Sequence, residues 1–168
     1  VVALMPATQA LYELAYVPLP KYCIGAEVVP VINKLADAFQ NIVVTQDWHT
    51  PGHASFASAH AGKKPFETVA LKYGQQVLWP DHCVQGTDDA ALHKDLKLPT
   101  AQLVIRKGYN KGVDSYSAFE EADRKSVTGL AGYLKARGIK IAVLFCKSHE
   151  PGLERFLLDH VQSARCAL

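Results

Sequence analysis

The sequence predicts an α/β fold, and three observations predict it. Ile42-Val43-Val44 and the stretch from Ile139 to Phe145 are short apolar runs rich in β-branched residues, right for buried strands and too short for buried helices. Between Gly25 and Phe39, the residues Val28, Val31, Ile32, Leu35, Ala36 and Phe39 recur at three- and four-residue steps, which describes an amphipathic helix facing a sheet. Strand and helix patterns then alternate along the chain, implying a mostly parallel sheet with right-handed crossovers. With 168 residues, 49% of them apolar, the chain can bury one sizeable core, and one domain over residues 1–168 is expected.

Val1 to Met5 reads as a first strand. Pro6, Pro18 and Pro20 interrupt the stretch up to Tyr22, in which Leu11, Tyr12 and Leu14 keep no sustained period. Pro30 is tolerated in the first turns of the Gly25–Phe39 helix, because an amide there has no intrahelical partner. A strand from Asn41 to Thr45 comes after it. Pro51 to about Asp81 is rich in Gly, His, Ala and Lys without a clear period and reads as one long loop, a kind of connection that is usually functional. Gln102 to Ile105 reads as another strand and Gly108 to Ser117 as a loop. Thr128 to Arg137 reads as a helix stopped by Gly138, Ile139 to Phe145 as a central strand, and Leu153 to about Val161 as a last helix. There is no internal repeat and no low-complexity tract.

A net charge of +2 from 18 basic and 16 acidic residues gives no broad basic field, so neither nucleic acid nor an anionic membrane surface is expected as a partner. No apolar run approaches the roughly 18 residues that cross a membrane. Cys23, Cys83, Cys146 and Cys166 are widely spaced and read as reduced thiols of a cytoplasmic protein. Small-molecule chemistry is the expectation.

The candidate site begins at Thr45-Gln46-Asp47-Trp48-His49, where a buried strand ends in a carboxylate and an imidazole. In open parallel sheets ligands collect outside the carboxyl ends of strands, and both groups suit a divalent metal. The stretch from Trp79 to Thr87 brings His82, which is expected to complete the ligand set, and Arg106-Lys107-Gly108 puts further charge at a strand end. His53, four residues after His49, reads equally as a ligand or as a loop histidine bonded to backbone. Trp79 and Tyr116 read as site or as core aromatics, and Cys83 as a small buried hydrophobe.

These segments, with His53-Ala54-Ser55-Phe56, Val77-Leu78-Trp79-Pro80-Asp81-His82-Cys83-Val84-Gln85-Gly86-Thr87, Ile105-Arg106-Lys107-Gly108 and Asp114-Ser115-Tyr116-Ser117-Ala118-Phe119, resemble the bacterial nicotinamidases (pyrazinamidases) of the isochorismatase-like cysteine hydrolase family. The resemblance runs from about Val29 to Val143. It implies a three-layer α/β/α domain with a central, mostly parallel sheet. It also implies an amidohydrolase of NAD salvage and pyridine nucleotide biosynthesis, converting nicotinamide to nicotinate and ammonia through a thioester acyl-enzyme. One divalent ion, zinc or else iron or manganese, would be held by Asp47, His49 and His82 and would bind the pyridine nitrogen. Trp79 and Tyr116 match the aromatic pocket positions and Lys107 the catalytic lysine. The partner is then a small aromatic amide, and a homo-oligomer is compatible with the reading.

Counted without gaps, the family's catalytic aspartate falls on Gln9 and its nucleophilic cysteine on Gly152. An amide is a poor electrophile; a thiolate splits its hydrolysis into two easier steps, a lysine lowers the thiol pKa, and an aspartate moves the proton. Gln9 and Gly152 supply neither thiol nor carboxylate, so a family member that keeps the metal and the pocket without the chemistry is the alternative. A vinyl-ether hydrolase is a weaker third reading. Beyond Asp159 the strand and helix that usually close the family's sheet are not expected.

Overall fold

The computed structural model describes the backbone of residues 2–5, 28–139, 141–145 and 163–167, and side chains between Val29 and Ile139. Gln9, Gly152 and the expected Leu153–Val161 helix lie outside the described residues. Two units are distinguished, one formed by Val1–Val44, Leu92–Val104 and Ala131–Leu168, the other by Thr45–Ala91 and Ile105–Leu130.

The elements are β1 (Val2–Met5), α1 (Val28–Ala36), β2 (Asn41–Asp47), β3 (Thr68–Leu71), β4 (Gly74–Val77), β5 (Ala101–Lys107), α2 (Leu130–Ala136), β6 (Ile141–Phe145) and β7 (Ser163–Ala167). A five-stranded sheet has the order β5-β2-β1-β6-β7. β1 runs antiparallel to both β2 and β6, so β2 and β6 point the same way, and β7 joins β6 in parallel. Helices and this sheet make the chain α/β. β7 is a strand where none was expected. The segment is five residues long and carries Arg165 in its middle, so it offers no apolar run to read.

In the first unit, α1 buries Val29, Ile32, Leu35 and Ala36, the spacing of one helical face. Leu35, Ala36, Phe39 and Ile42 form a core cluster, with Val31, Ala38, Leu98 and Ala101 packed against it. Asn33 ties the segment before β5 to α1: its Nδ2 donates to the Asp95 carbonyl at 2.7 Å, and its Oδ1 accepts from Lys97 N at 2.7 Å. α2 ends as Gly138 predicts. Gly138 N donates to the Lys135 carbonyl and Ile139 N to the Leu134 carbonyl, a closure that needs the left-handed backbone of Gly138 (φ +64°).

In the second unit, the stretch from Pro51 to Asp81 is not one loop. It contains the antiparallel hairpin β3–β4, paired from Thr68↔Val77 to Leu71↔Gly74. The hairpin shows no apolar alternation because β4 buries a single side chain, Gln76, and that one is polar. Phe56, Leu78 and Leu130 are fully buried in this unit. A one-residue bridge pairs Phe56 with Trp79, and Trp79 N donates to the Ser55 carbonyl while Ala57 N donates to the Trp79 carbonyl.

Candidate active site

All described site candidates belong to the second unit. The ends of β2 and β5 lie side by side: Trp48 N donates to the Lys107 carbonyl at 2.9 Å. This pairing delivers Lys107 to Asp47. Lys107 Nζ donates to Asp47 Oδ1 at 2.5 Å and to the Ser115 carbonyl at 3.2 Å. The lysine side chain is 10% exposed and the Asp47 side chain 39%, so the ion pair opens on the carboxylate's side. The contact occupies one carboxylate oxygen. Gly152, on which the family's nucleophile position falls, lies outside the described residues, so the relation of Lys107 to it is not described.

One residue past Trp48, the backbone of His49 pairs with the His82 loop, His49 N donating to the Cys83 carbonyl and Gln85 N to the His49 carbonyl. The two rings meet edge to face with centroids 4.9 Å apart, and Phe56 lies 5.4 Å from each. Their tautomers follow from their partners. His49 Nδ1 faces the Gly108 carbonyl at 3.0 Å and His82 Nδ1 the Pro80 carbonyl at 2.8 Å, and since carbonyls only accept, each Nδ1 carries the proton. In the neutral ring this leaves Nε2 as a bare lone pair, the state a metal requires, with its orienting hydrogen bond already made. Burial, and after it the neighbouring His53, lowers the pKa of His49 and favours the neutral ligand form. A neutral imidazole of this kind suits a divalent ion.

By ligand-atom proximity alone, the group that could hold an ion among the described residues is His49, His53 and Asp114, within 4.8 Å of one another. His53 and Asp114 were not in the ligand set expected from sequence; Asp47 and His82, which were, do not belong to this group. The hydrogen bonds explain the difference. His53 Nδ1 accepts from Ser55 N, and its Nε2 faces the Asn110 and Val113 carbonyls at 2.9 and 3.1 Å, so both ring nitrogens are committed. Asp114 accepts from Gln76 Nε2 at 2.9 Å through Oδ2 and from Ser115 N at 2.9 Å through Oδ1. An ion held by that trio would have to displace these bonds.

The aromatic pair is brought together. Trp79 Nε1 donates to the Tyr116 hydroxyl at 2.9 Å, and Gln76 Nε2 donates to the same oxygen at 2.8 Å. With two donors aimed at it, the hydroxyl gives its own proton to Asp114. Burial, reinforced by that bond, pushes the Tyr116 pKa up to about 12. The Phe66 ring stands perpendicular to Trp79 at 6.0 Å. Phe66 is 71% exposed, at a φ of +72° that bulky residues rarely adopt.

Sequence reasoning missed Gln76, Asp114 and Glu121. Asp114 stood inside a motif that drew attention only to Tyr116, and a polar residue carries no sequence mark of burial. Glu121 is 4% exposed, and Gly108 N donates to its Oε1 at 3.2 Å. Burial raises its pKa, against the opposing pull of Ser115, the Gly108 amide and Lys107.

An α/β chain with a lysine–carboxylate pair at two strand ends and an imidazole pair between a strand end and a loop defines the class first: a protein of isochorismatase-like fold with a site suited to a divalent ion. The chain belongs to the nicotinamidase family. It is 61% identical over 126 residues to the nicotinamidase of Acinetobacter baylyi, covering 71% of this chain and 59% of that protein. Against the nicotinamidase of Escherichia coli it is 36% identical over 142 residues, covering 82% and 66%. A solved nicotinamidase/pyrazinamidase from Acinetobacter baumannii superposes with a TM-score of 0.69 at 58% identity, covering 71% of this chain and 58% of that one. The chain thus spans about three fifths of the length of these relatives. No protein-family model matches it. Among the described residues, no helix is long and apolar enough to cross a membrane.

Proposed function

We propose that the chain acts as a nicotinamidase, hydrolysing nicotinamide to nicotinate and ammonia, with pyrazinamide-like aromatic amides as further substrates. The observation that carries the reading is the Trp79–Tyr116 pair, fixed by Gln76 on a segment whose neighbour sets Phe56 against the His49 and His82 rings. Flat aromatic walls beside an imidazole pair suit a planar ring with a ligating nitrogen. The names of the relatives support the same substrate class.

Asp47, His49 and His82 would hold the ion, and zinc is the ion we assign, ahead of iron and manganese, for its fit to imidazole and carboxylate donors. When bound, it supplies a Lewis-acid contact to the pyridine nitrogen. Trp79 and Tyr116 orient the ring and exclude water from its faces. Lys107, as a cation held by Asp47 and the Ser115 carbonyl, steadies the carboxylate and lends positive charge to the site. The overall reaction breaks the carbon–nitrogen bond of the amide; the oxygen of water joins the acyl carbon, and nitrogen departs as ammonia. The family's route through a cysteine thioester and an aspartate would require Gly152 and Gln9 to carry groups they lack. That observation favours a second reading, a pocket that binds the ligand without turning it over.

The test is ammonia release from nicotinamide by the zinc-loaded chain, alongside calorimetry with nicotinate. Turnover abolished by chelation and by Lys107→Ala supports the nicotinamidase reading. Binding without turnover assigns the second reading, and no binding removes both.

A further inference from the structure

We propose that Glu121 is a positioning residue for the His49 imidazole, acting through Gly108. The inference rests on the reading of His49 as a metal ligand. One residue makes both connections: the N–H of Gly108 donates to Glu121 Oε1 at 3.2 Å, and the carbonyl of Gly108 accepts from His49 Nδ1 at 3.0 Å. Contact between ring and glycine is as close as chemistry allows. A Cβ built on Gly108 would lie 2.6 Å from His49 Cε1 and 2.7 Å from Nδ1. Where Gly108 sits therefore decides where the imidazole sits and which nitrogen holds its proton.

Glu121 is a costly way to hold an amide. It is 4% exposed, its Oε2 is buried as well, and besides the Gly108 amide its carboxyl interacts with the Ser115 side chain. Burying a carboxyl costs more than burying an apolar side chain of similar size, so packing alone does not account for it. Its backbone is well anchored, since Glu121 N donates to the Ser126 carbonyl at 2.8 Å, Arg124 N donates to the Glu121 carbonyl, and the adjacent Ala122 N donates to the Asp114 carbonyl at 2.7 Å. Glu121 thus carries the rigidity of the 114–126 turn to Gly108 and from there to Nδ1 of His49. Outer partners of this kind keep the ligating nitrogen bare and aimed.

The experiment uses nitrogen-15 NMR of the metal-free chain together with cobalt(II) titration against a competing chelator. In the unsubstituted protein His49 is expected as the Nδ1–H tautomer. Glu121→Ala should give a tautomer mixture and weaken cobalt about 10–100-fold, whereas Glu121→Gln, which keeps an oxygen for the Gly108 amide, should restore both readouts. A merely structural role would move neither the tautomer nor its rescue. Should Glu121→Ala fail to fold, two measurements decide. An Nε2–H imidazole at His49 in the unsubstituted protein, or loss of the Nδ1–H tautomer in Glu121→Gln, overturns the inference. So do an unchanged tautomer and cobalt affinity in folded Glu121→Ala. The His49→Ala protein separates the two claims: full cobalt stoichiometry in it overturns the reading of His49 as a ligand, while the tautomer measurement still judges the link to Glu121.

Discussion

Adding one methyl group at Gly108 should cost more than adding one at Gly62, and the difference measures how firmly the His49 ring is caged. Both glycines have left-handed backbones, φ +69° and +74°, so alanine at either introduces about 1–2 kcal/mol of backbone strain. At Gly62 the destabilisation ends there, because nothing lies within 4 Å of the new Cβ. At Gly108 the methyl meets His49 at 2.6 Å, and the ring cannot retreat: it is 2% exposed, with the His53, His82 and Phe56 rings at 4.5, 4.9 and 5.4 Å. Overpacking of this kind adds roughly 1–3 kcal/mol. Gly108→Ala should therefore lose about 2–5 kcal/mol and Gly62→Ala about 1–2 kcal/mol. At roughly 2–4 °C per kcal/mol for a chain of this length, the gap is several degrees in Tm. Urea melts of the two variants with unchanged m-values are the assay. Equal losses would refute the cage and leave His49 free to shift.

Trp79→Ala should weaken nicotinate binding several-fold in calorimetry, removing a stacking face worth about 1 kcal/mol beyond its buried area, with metal content unchanged. His49→Ala and His82→Ala should each lose stoichiometric zinc by elemental analysis, whereas His53→Ala should instead lose about 0.5–1.5 kcal/mol in urea melts, since the part-buried Asn110 and Val113 carbonyls lose their donor. Glu121 sets a pH dependence. Its folded pKa is raised above the ordinary 4.5, so its stabilising contribution is complete below that pH and lost as pH rises through the folded value. Glu121→Gln should match the unsubstituted protein near pH 4 and exceed it in urea midpoint at pH 7.

Elements with an apolar face announced themselves. α1, the first five residues of β2 and the glycine that closes α2 follow from periodicity, β-branching and positive φ, because burial of hydrocarbon leaves a regular mark in sequence. The β3–β4 hairpin left none, since its one buried side chain is an amide. The site shows the same division. Asp47, His49 and Lys107 were legible as reactive groups at strand ends, His82 as one in a loop, and Trp79 with Tyr116 through resemblance. The groups that hold them, Gln76, Asp114 and Glu121, are ordinary polar letters whose burial depends on partners distant in sequence. His53 stood open between ligand and loop; the two carbonyls that claim its Nε2 lie 57 and 60 residues away.

Gln76 sits where the hairpin's fate and the ligand's meet. Its amide reaches Asp114, Tyr116 and its neighbour's carbonyl, and its oxygen accepts a hydrogen bond from the Tyr73 hydroxyl. An aromatic wall held this way is ordered when the chain folds, so a ligand arriving at it need not freeze two rings, a penalty of roughly 0.5–1.5 kcal/mol for each side chain immobilised on binding. Binding strength is then partly a property of the turn at Tyr73, far along the hairpin from Trp79. Loosening that turn would reach the ligand as lost entropy, with every contact to Trp79 and Tyr116 unchanged.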